Sequence, residues 1–563
     1  MRKFLKSLVF TSLCSWQVGH AAAELPVASK IDMVVSEQQL ASQVGADILR
    51  AGGNAIDAAV AVGYTLAVVE PCCGNIGGGG FMTLHMPGDR KIFINFRERA
   101  PLASTTNMYL DKNGVFQPQK STIGYLAVAT PGTVLGLDTA LTKYGTMTRQ
   151  QVMAPAIKLA RQGYILQPGD IKILTLGTAL FERSPNVKKI FLNKGRPFRA
   201  GEKFIQTDLA NTLQLISDKG TDVFYKGKIA QAIVSASQKN GGILSLKDFN
   251  EYTVEIMRPL NCSYRGFTIL SSPPPSSGGV TLCEILHILD GYPLASYPYH
   301  SAKATHYVVE AMRFAFADRN NQLGDPDFVS NPIEQLTDPN YAALIRKKIP
   351  DDKAVKSSSI KIITTEKEGV NTTQYSVMDK FGNAVSVTVT LNAFFGAQVI
   401  AGDTGFFLND EMDDFTAKPN TPNKFGLIEG EKNKIEPGKR PLSSMSPTII
   451  LQGQQPILIL GSPGGPRIIT SVLETILNIF DYHLNLKAAI DAPRYHQQWW
   501  PEAIDVEPNA FTPEVTKQLT ASGYQFTPLP GWGAVESIYI DPQTKILYGA
   551  NDRRRQAGAA VGH

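Results

Sequence analysis

The chain has 563 residues, 43% of them apolar and 19% charged, and a formal net charge of +5. That composition excludes a disordered or low-complexity chain and a strongly basic nucleic-acid binder. Length alone would allow three or four domains, but no Gly/Ser-rich, Pro-rich or charge-block linker divides the sequence, so one large core or two intimately packed lobes is expected.

The N-terminus is expected to lie outside that core. Arg2, Lys3 and Lys6 precede an apolar run from Leu8 to Trp16, and Ala21, Ala22 and Ala23 follow. This is the pattern of a secretory signal, residues 1–23, cut near Ala23. The run is too short to span a bilayer. Losing it lowers the formal charge from +5 to +2, so the mature protein is nearly neutral and no nucleic-acid partner or membrane span is expected. Cys14 goes with the signal, leaving Cys72, Cys73, Cys262 and Cys283 without CxxC or Cys/His metal spacing. Buried thiols or one incidental disulfide are expected rather than a functional redox pair.

Taken in order, "SEQQLASQVGADILRAGG" has apolar residues at helical spacing and a glycine stop. "NAIDAAVAVGYTLAVVEP" opens on an Asn cap and is apolar nearly all round, which predicts a buried helix. "GNIGGGGFMTLHM" is a glycine run feeding a strand, and "TRQQVMAPAIKLARQGY" is a capped helix ending near Gly163. Helices dominate to about Asn240. "PLNCSYRGFTILSSPPPSSGG" passes from strand to proline-rich loop, and "SAKATHYVVEAMRFAFADRN" reads as an amphipathic helix.

After Asn371 the texture changes. "TTQYSVMDK" and "AVSVTVTLN" flank the hairpin signal "KFGN". "SSMSPTIILQGQQPILILGSPGG" predicts two strands joined at Gly453, "PRIITSVLETILNIFDYH" and "NLKAAIDAPRYH" predict helices, and "AVESIYIDPQTKILYGAND" predicts a last hairpin. The fold class is α+β, stacked antiparallel sheets covered by helix layers.

Thr372 is the first candidate for chemistry. A threonine hydroxyl is a weak nucleophile unless a base takes its proton, and an N-terminal threonine carries that base as its own amine, with a pKa of roughly 7.7–8.0. One cut, between Asn371 and Thr372, creates this arrangement, and the Thr372 hydroxyl is suited to make it by attacking the Asn371 carbonyl. Strand-entry threonines are common for structural reasons alone. A second candidate is Gly461-Ser462-Pro463-Gly464-Gly465, a strand end running into a helix. Amides at a helix N-terminus bind a phosphate or a tetrahedral oxyanion; neither P-loop nor GxGxxG spacing is present. The third is a set suited to a zwitterion. Glu411, Asp413 and Asp414 are candidates for an ammonium group, and Arg97, Ser443 and Ser444 for a carboxylate.

Together, "NTTQYSV", "TLN", "NDEMDDF", "KRPLSSMSPT", "GSPGG" and "FRERAP" closely resemble the γ-glutamyltranspeptidase family of N-terminal-nucleophile hydrolases, and most of all its bacterial secreted members. The resemblance runs from "AGGNAIDAAVA" to the terminal "GAAVGH". It implies an αββα sandwich and a precursor split into a large chain, 24–371, and a small chain, 372–563, with cleavage between Asn371 and Thr372. It implies Thr372 as nucleophile and Thr390 as its supporting hydroxyl. Asn392, Glu411 and Asp414 would hold the donor's α-amino group, and Arg97, Ser443 and Ser444 its α-carboxylate. Gly464 and Gly465 would form the oxyanion hole. The implied donors are glutathione and other γ-glutamyl amides, the acceptors water, amino acids or peptides, with no cofactor and no metal, in a periplasmic or secreted protein. Gln374 stands where many members have histidine. In the lid-like "PNTPNKFGLIEGEKN", Phe425 stands where some bacterial members have tyrosine. Two other readings use the same groups: a cephalosporin (glutaryl) acylase of this architecture, and an exported amino-acid-binding protein without chemistry.

Overall fold

A computed structural model describes residues 25–360, 372–418 and 430–563. The expected signal segment, Asn371 and Phe425 lie outside them. Two seven-stranded antiparallel sheets stack face to face. In the first, strands follow the order Ala559–Gly562, Met33–Ser36, Thr372–Met378, Ala384–Thr390, Gly79–Met86, Arg90–Phe96 and Glu255–Met257. In the second the order is Val27–Ser29, Leu547–Ala550, Ser537–Ile540, Gln455–Leu460, Thr448–Gln452, Phe267–Ser271 and Leu260–Tyr264.

Three apolar layers follow from the period-2 alternation of strand side chains. Between the sheets lie Met33, Val35, Leu270, Met378, Ile449, Leu451, Ile459 and Ile538. Their sequence neighbours Val34, Val377, Ile450, Leu458 and Leu460 point outward under the helices. Both faces of these strands are buried, so "TIIL" and "ILIL" read as continuous apolar runs rather than alternating ones. Helices Gln39–Arg50, Ala55–Val69, Thr133–Tyr144 and Arg149–Gln162 cover the first sheet, and Gly278–Asp290, Ala302–Gln322 and Arg467–Phe480 the second. The αββα sandwich is therefore present.

The capping expectations hold. Asn54 Oδ1 accepts from the amides of Ile56 and Asp57, Asp57 returns a bond to Asn54 N, and all fifteen residues of Ala55–Val69 are buried. The hairpin turn reinforces that helix start, because Asp379 accepts from Phe381 N, Asn383 N and, across the interface, Ala55 N.

Two expectations are corrected. Helix Ala302–Gln322 is buried almost all round rather than amphipathic. It is wedged between Gly278–Asp290 and Pro513–Ala521, and His306, Glu310, Arg313 and Arg319 find polar partners inside the protein. The four cysteines among the described residues are paired, Cys72 with Cys73 and Cys262 with Cys283. The first pair closes in the turn after Glu70; the second ties a strand to the helix that covers it.

Candidate active site

Thr372 opens the third strand of the first sheet, opposite Thr390 in the antiparallel register, with their hydroxyl oxygens 3.3 Å apart. Asn392 N donates to Thr390 Oγ1 at 2.8 Å. Alternation sends Thr372, Gln374 and Ser376 toward the second sheet and Thr373, Tyr375 and Val377 toward the helices. Gln374 bridges the hairpin, donating to Ser386 Oγ and accepting from Thr388 Oγ1. On the helix side, Thr373 Oγ1 donates to Glu70 at 2.7 Å and Gln374 N to Glu37 at 3.0 Å, with Arg555 beside Glu37. Burial, and then Glu70, push the Glu37 carboxyl well above the ordinary range.

The glycine run of residues 77–80 is a matter of close approach. A Cβ on Gly78 would lie 1.8 Å from Thr390 O, and one on Gly80 2.2 Å from Thr388 O. Glycine lets this segment press against the Thr390 strand.

Across the cavity, Gly464 and Gly465 turn the chain from strand Gln455–Leu460 into helix Arg467–Phe480, both at positive φ. Their carbonyls accept from Arg467 N and Ile468 N. Among the described residues their own amides donate to no carbonyl, so this turn offers N–H groups at a helix start.

One cavity is lined by Thr372, Thr390, Asn392, Arg97, Glu411, Asp414, Ser443, Ser444 and Gly465, with Gly464 adjoining. Residues separated by hundreds of positions are thus brought together. The charge arrangement is tighter than expected. Arg97 is 1% exposed and forms ion pairs with both Glu411 and, at 2.5 Å, Asp414. It also donates to the carbonyls of Pro441 and Leu442. Against the cost of burying it, Glu411 and then Asp414 hold the guanidinium above its ordinary pKa. Burial raises both acids, with Arg97 opposing. The residue expected to hold the carboxylate and two of those expected to hold the ammonium are therefore paired with each other. Asn392, at φ 71°, donates Nδ2 to Asp410 O. Asp413 accepts from Ser121 instead and does not line the cavity.

Two polar residues escaped sequence reading. Arg319 lines the cavity from helix Ala302–Gln322; it lies inside an ordinary helical pattern, so no local signal marked it. Glu98 is fully buried beside Arg97, 3.7 Å from Nη1. Its place in "FRERAP" was the available signal. Burial pushes its pKa up to about 7, with Arg97 drawing it back. A raised carboxyl stabilises the fold while protonated, so this contribution is complete below its ordinary value of 4.5 and is lost as pH rises through about 7. Thermal melts at pH 5 and pH 8 should show a larger fall in Tm for wild type than for Glu98→Gln. Equal falls would mean Glu98 does not carry the proton.

A pair of threonine hydroxyls, an amide-lined turn and paired opposite charges in one cavity suit acyl transfer from an amino-acid-like donor. Comparison with known proteins points the same way. The profile described as Gamma-glutamyltranspeptidase matches residues 41–562. A glutathione hydrolase proenzyme from Pseudomonas sp. (strain A14) is 52% identical, covering 100% of this chain and 99% of the relative. A glutathione hydrolase proenzyme from Escherichia coli (strain K12) is 45% identical over 96% of this chain and 93% of its own length. The solved structure of a cephalosporin acylase from Bacillus halodurans superposes with a TM-score of 0.85 at 29% identity, covering 99% of both chains. With the profile matched over nearly the whole length, and the αββα layers and cavity in place, the chain belongs to the γ-glutamyltranspeptidase family.

Proposed function

We propose that this protein is a γ-glutamyltransferase and glutathione hydrolase that severs its own chain between Asn371 and Thr372. The mature pair is 24–371 and 372–563, exported under the signal of residues 1–23 to a periplasm or the medium. No helix among the described residues is long and apolar enough to cross a membrane.

Once freed, the Thr372 amine takes the Thr372 hydroxyl proton while Oγ1 attacks the γ-carbonyl of the donor. Thr390 donates to Oγ1 and holds it in line. The oxyanion sits on the Gly464 and Gly465 amides. The protonated amine returns its proton to the departing amine, leaving a γ-glutamyl ester on Thr372. Water releases glutamate; an amino acid or dipeptide takes the acyl group instead. Ser443, Ser444 and Arg97 receive the α-carboxylate, and Asn392, Glu411 and Asp414 the α-ammonium.

The observation that carries this reading is the ion pairing of Arg97 with Glu411 and Asp414 at the Thr372 cavity. A zwitterionic head inserts by exchange, each of its charges replacing one partner of the internal pair. A glutaryl group brings a carboxylate but no ammonium, so it separates the pair and leaves the acids uncompensated. The names of the two bacterial relatives support the glutathione assignment, whereas the acylase neighbour makes glutaryl amides the competitor. Initial rates with γ-glutamyl-p-nitroanilide and glutaryl-p-nitroanilide decide between them. The expected result is at least about 100-fold higher kcat/KM for the γ-glutamyl donor, from charge contacts of the usual strength. Equal or reversed preference would install the acylase reading. Slow exchange of bound amino acid with no product would favour a binding protein.

A further inference from the structure

We propose that Arg319 is a specificity-determining positioning residue, acting through Ser444 to supply the second cation of the α-carboxylate pocket. The inference rests on the γ-glutamyl reading above and extends it to a residue from a different part of the fold.

Arg97 cannot serve that subsite alone. Its charge is shared with Glu411 and Asp414, and four of its five N–H directions point at protein oxygens. Glu98 adds a third carboxylate beside it. An incoming carboxylate therefore meets a guanidinium set among acids. Among the described residues, Arg97 and Arg319 are the two cations lining the cavity.

Arg319 is 1% exposed near the C-terminal end of helix Ala302–Gln322. It donates Nε to Ser277 Oγ at 2.9 Å, Nη1 to Asn320 Oδ1 at 2.8 Å and Nη2 to Ser444 Oγ at 3.2 Å. Ser444 Oγ, accepting from a cation, keeps its own hydrogen to donate into the cavity. Ser443 is arranged in the same sense, its Oγ accepting from Met445 N at 3.1 Å. Ser277, held by Arg319, donates through N and Oγ to Ser443 O. One guanidinium thus braces both serines from behind and polarises one hydroxyl toward an anion, a charge-assisted geometry that neutral serines alone lack.

The test uses two anilides: γ-glutamyl-p-nitroanilide, and 4-aminobutyryl-p-nitroanilide, which keeps the amine and scissile amide but lacks the α-carboxylate. Arg319→Met and Arg319→Gln should lower kcat/KM for the γ-glutamyl donor about 10- to 100-fold, mainly through KM, the usual scale for a charge-assisted contact. The 4-aminobutyryl donor should stay within about twofold. Arg319→Lys should recover most of the discrimination. A folded uncharged variant that loses both donors equally, or neither, overturns the proposal and marks Arg319 as structural. If both uncharged variants melt early, Arg319→Lys decides: a discrimination ratio within about threefold of wild type supports the charge assignment, and a collapsed ratio refutes it. Wild type inactive on the γ-glutamyl anilide would refute the underlying reading; active wild type with unchanged ratios in the variants would refute only the role of Arg319.

Discussion

Removing one hydroxyl, by Thr372→Ala, should leave a single uncut polypeptide and lower amide turnover on the order of 10⁶-fold, the scale for losing an enzyme's nucleophile. Both effects come from one atom. In the proposed mechanism Oγ1 of Thr372 is the attacking group in the chain's own cleavage and, afterwards, in attack on the donor. The surroundings should not suffer. Thr373 keeps Glu70, Gln374 keeps Glu37, Ser386 and Thr388, and the strand register to Thr390 is set by backbone bonds. The variant should therefore fold and melt cooperatively, within a few degrees of wild type. Thr372→Ser, which keeps the hydroxyl, should still split and still turn over donor, more slowly. Intact mass and N-terminal sequencing read the outcome. A wild-type protein whose Asn371–Thr372 bond survives while it hydrolyses γ-glutamyl amides would remove the amine from the mechanism.

Arg97→Met is expected to be the most damaging substitution to the pocket itself. It leaves Glu411 and Glu98 buried without their cation and Asp414 largely so. Breaking a buried ion pair from one side costs about 3–5 kcal/mol. The abandoned carboxyls are already raised by burial. They will take protons as pH falls, so the stability loss should be largest at alkaline pH and shrink as pH falls through about 7, where Glu98 titrates. Arg97→Met combined with Glu411→Gln should recover part of the Tm, because one orphaned charge is gone, while donor KM stays high. Thermal melts across pH and steady-state kinetics on the three proteins make the comparison. If the double variant recovers donor binding as well as stability, the exchange of internal pair for substrate charges is wrong.

The reach of the sequence differs from one element to the next. The buried helix after Asn54 was legible because its cap, its apolar composition and its length are all local. The hairpin from Thr372 was legible for the same reason: "KFGN" turns the chain, and the flanking strands have the right composition. Much of the cavity's lining was legible too, but only through the joint resemblance of six short motifs, since each alone has an ordinary structural explanation; Arg319 was missed and Asp413 lies elsewhere. Helix Ala302–Gln322 was misread as amphipathic because its polar residues look solvent-facing until the neighbours that receive them are in place. Two disulfides stand where buried thiols or one incidental bond were expected, because cysteine spacing does not say which thiols meet in the fold.

The sequence by itself determined the layer architecture, the hydroxyl at the strand mouth and the glycine turn opposite it, since periodicity, caps and turn residues act over a few positions. Only the tertiary structure decided which charges meet. Arg97 lies against Glu411, more than three hundred residues away, and Arg319 reaches Ser444 from a helix of the other sheet's cover. Ion pairing in a buried cavity depends on distance and dielectric, and neither is a property of sequence separation.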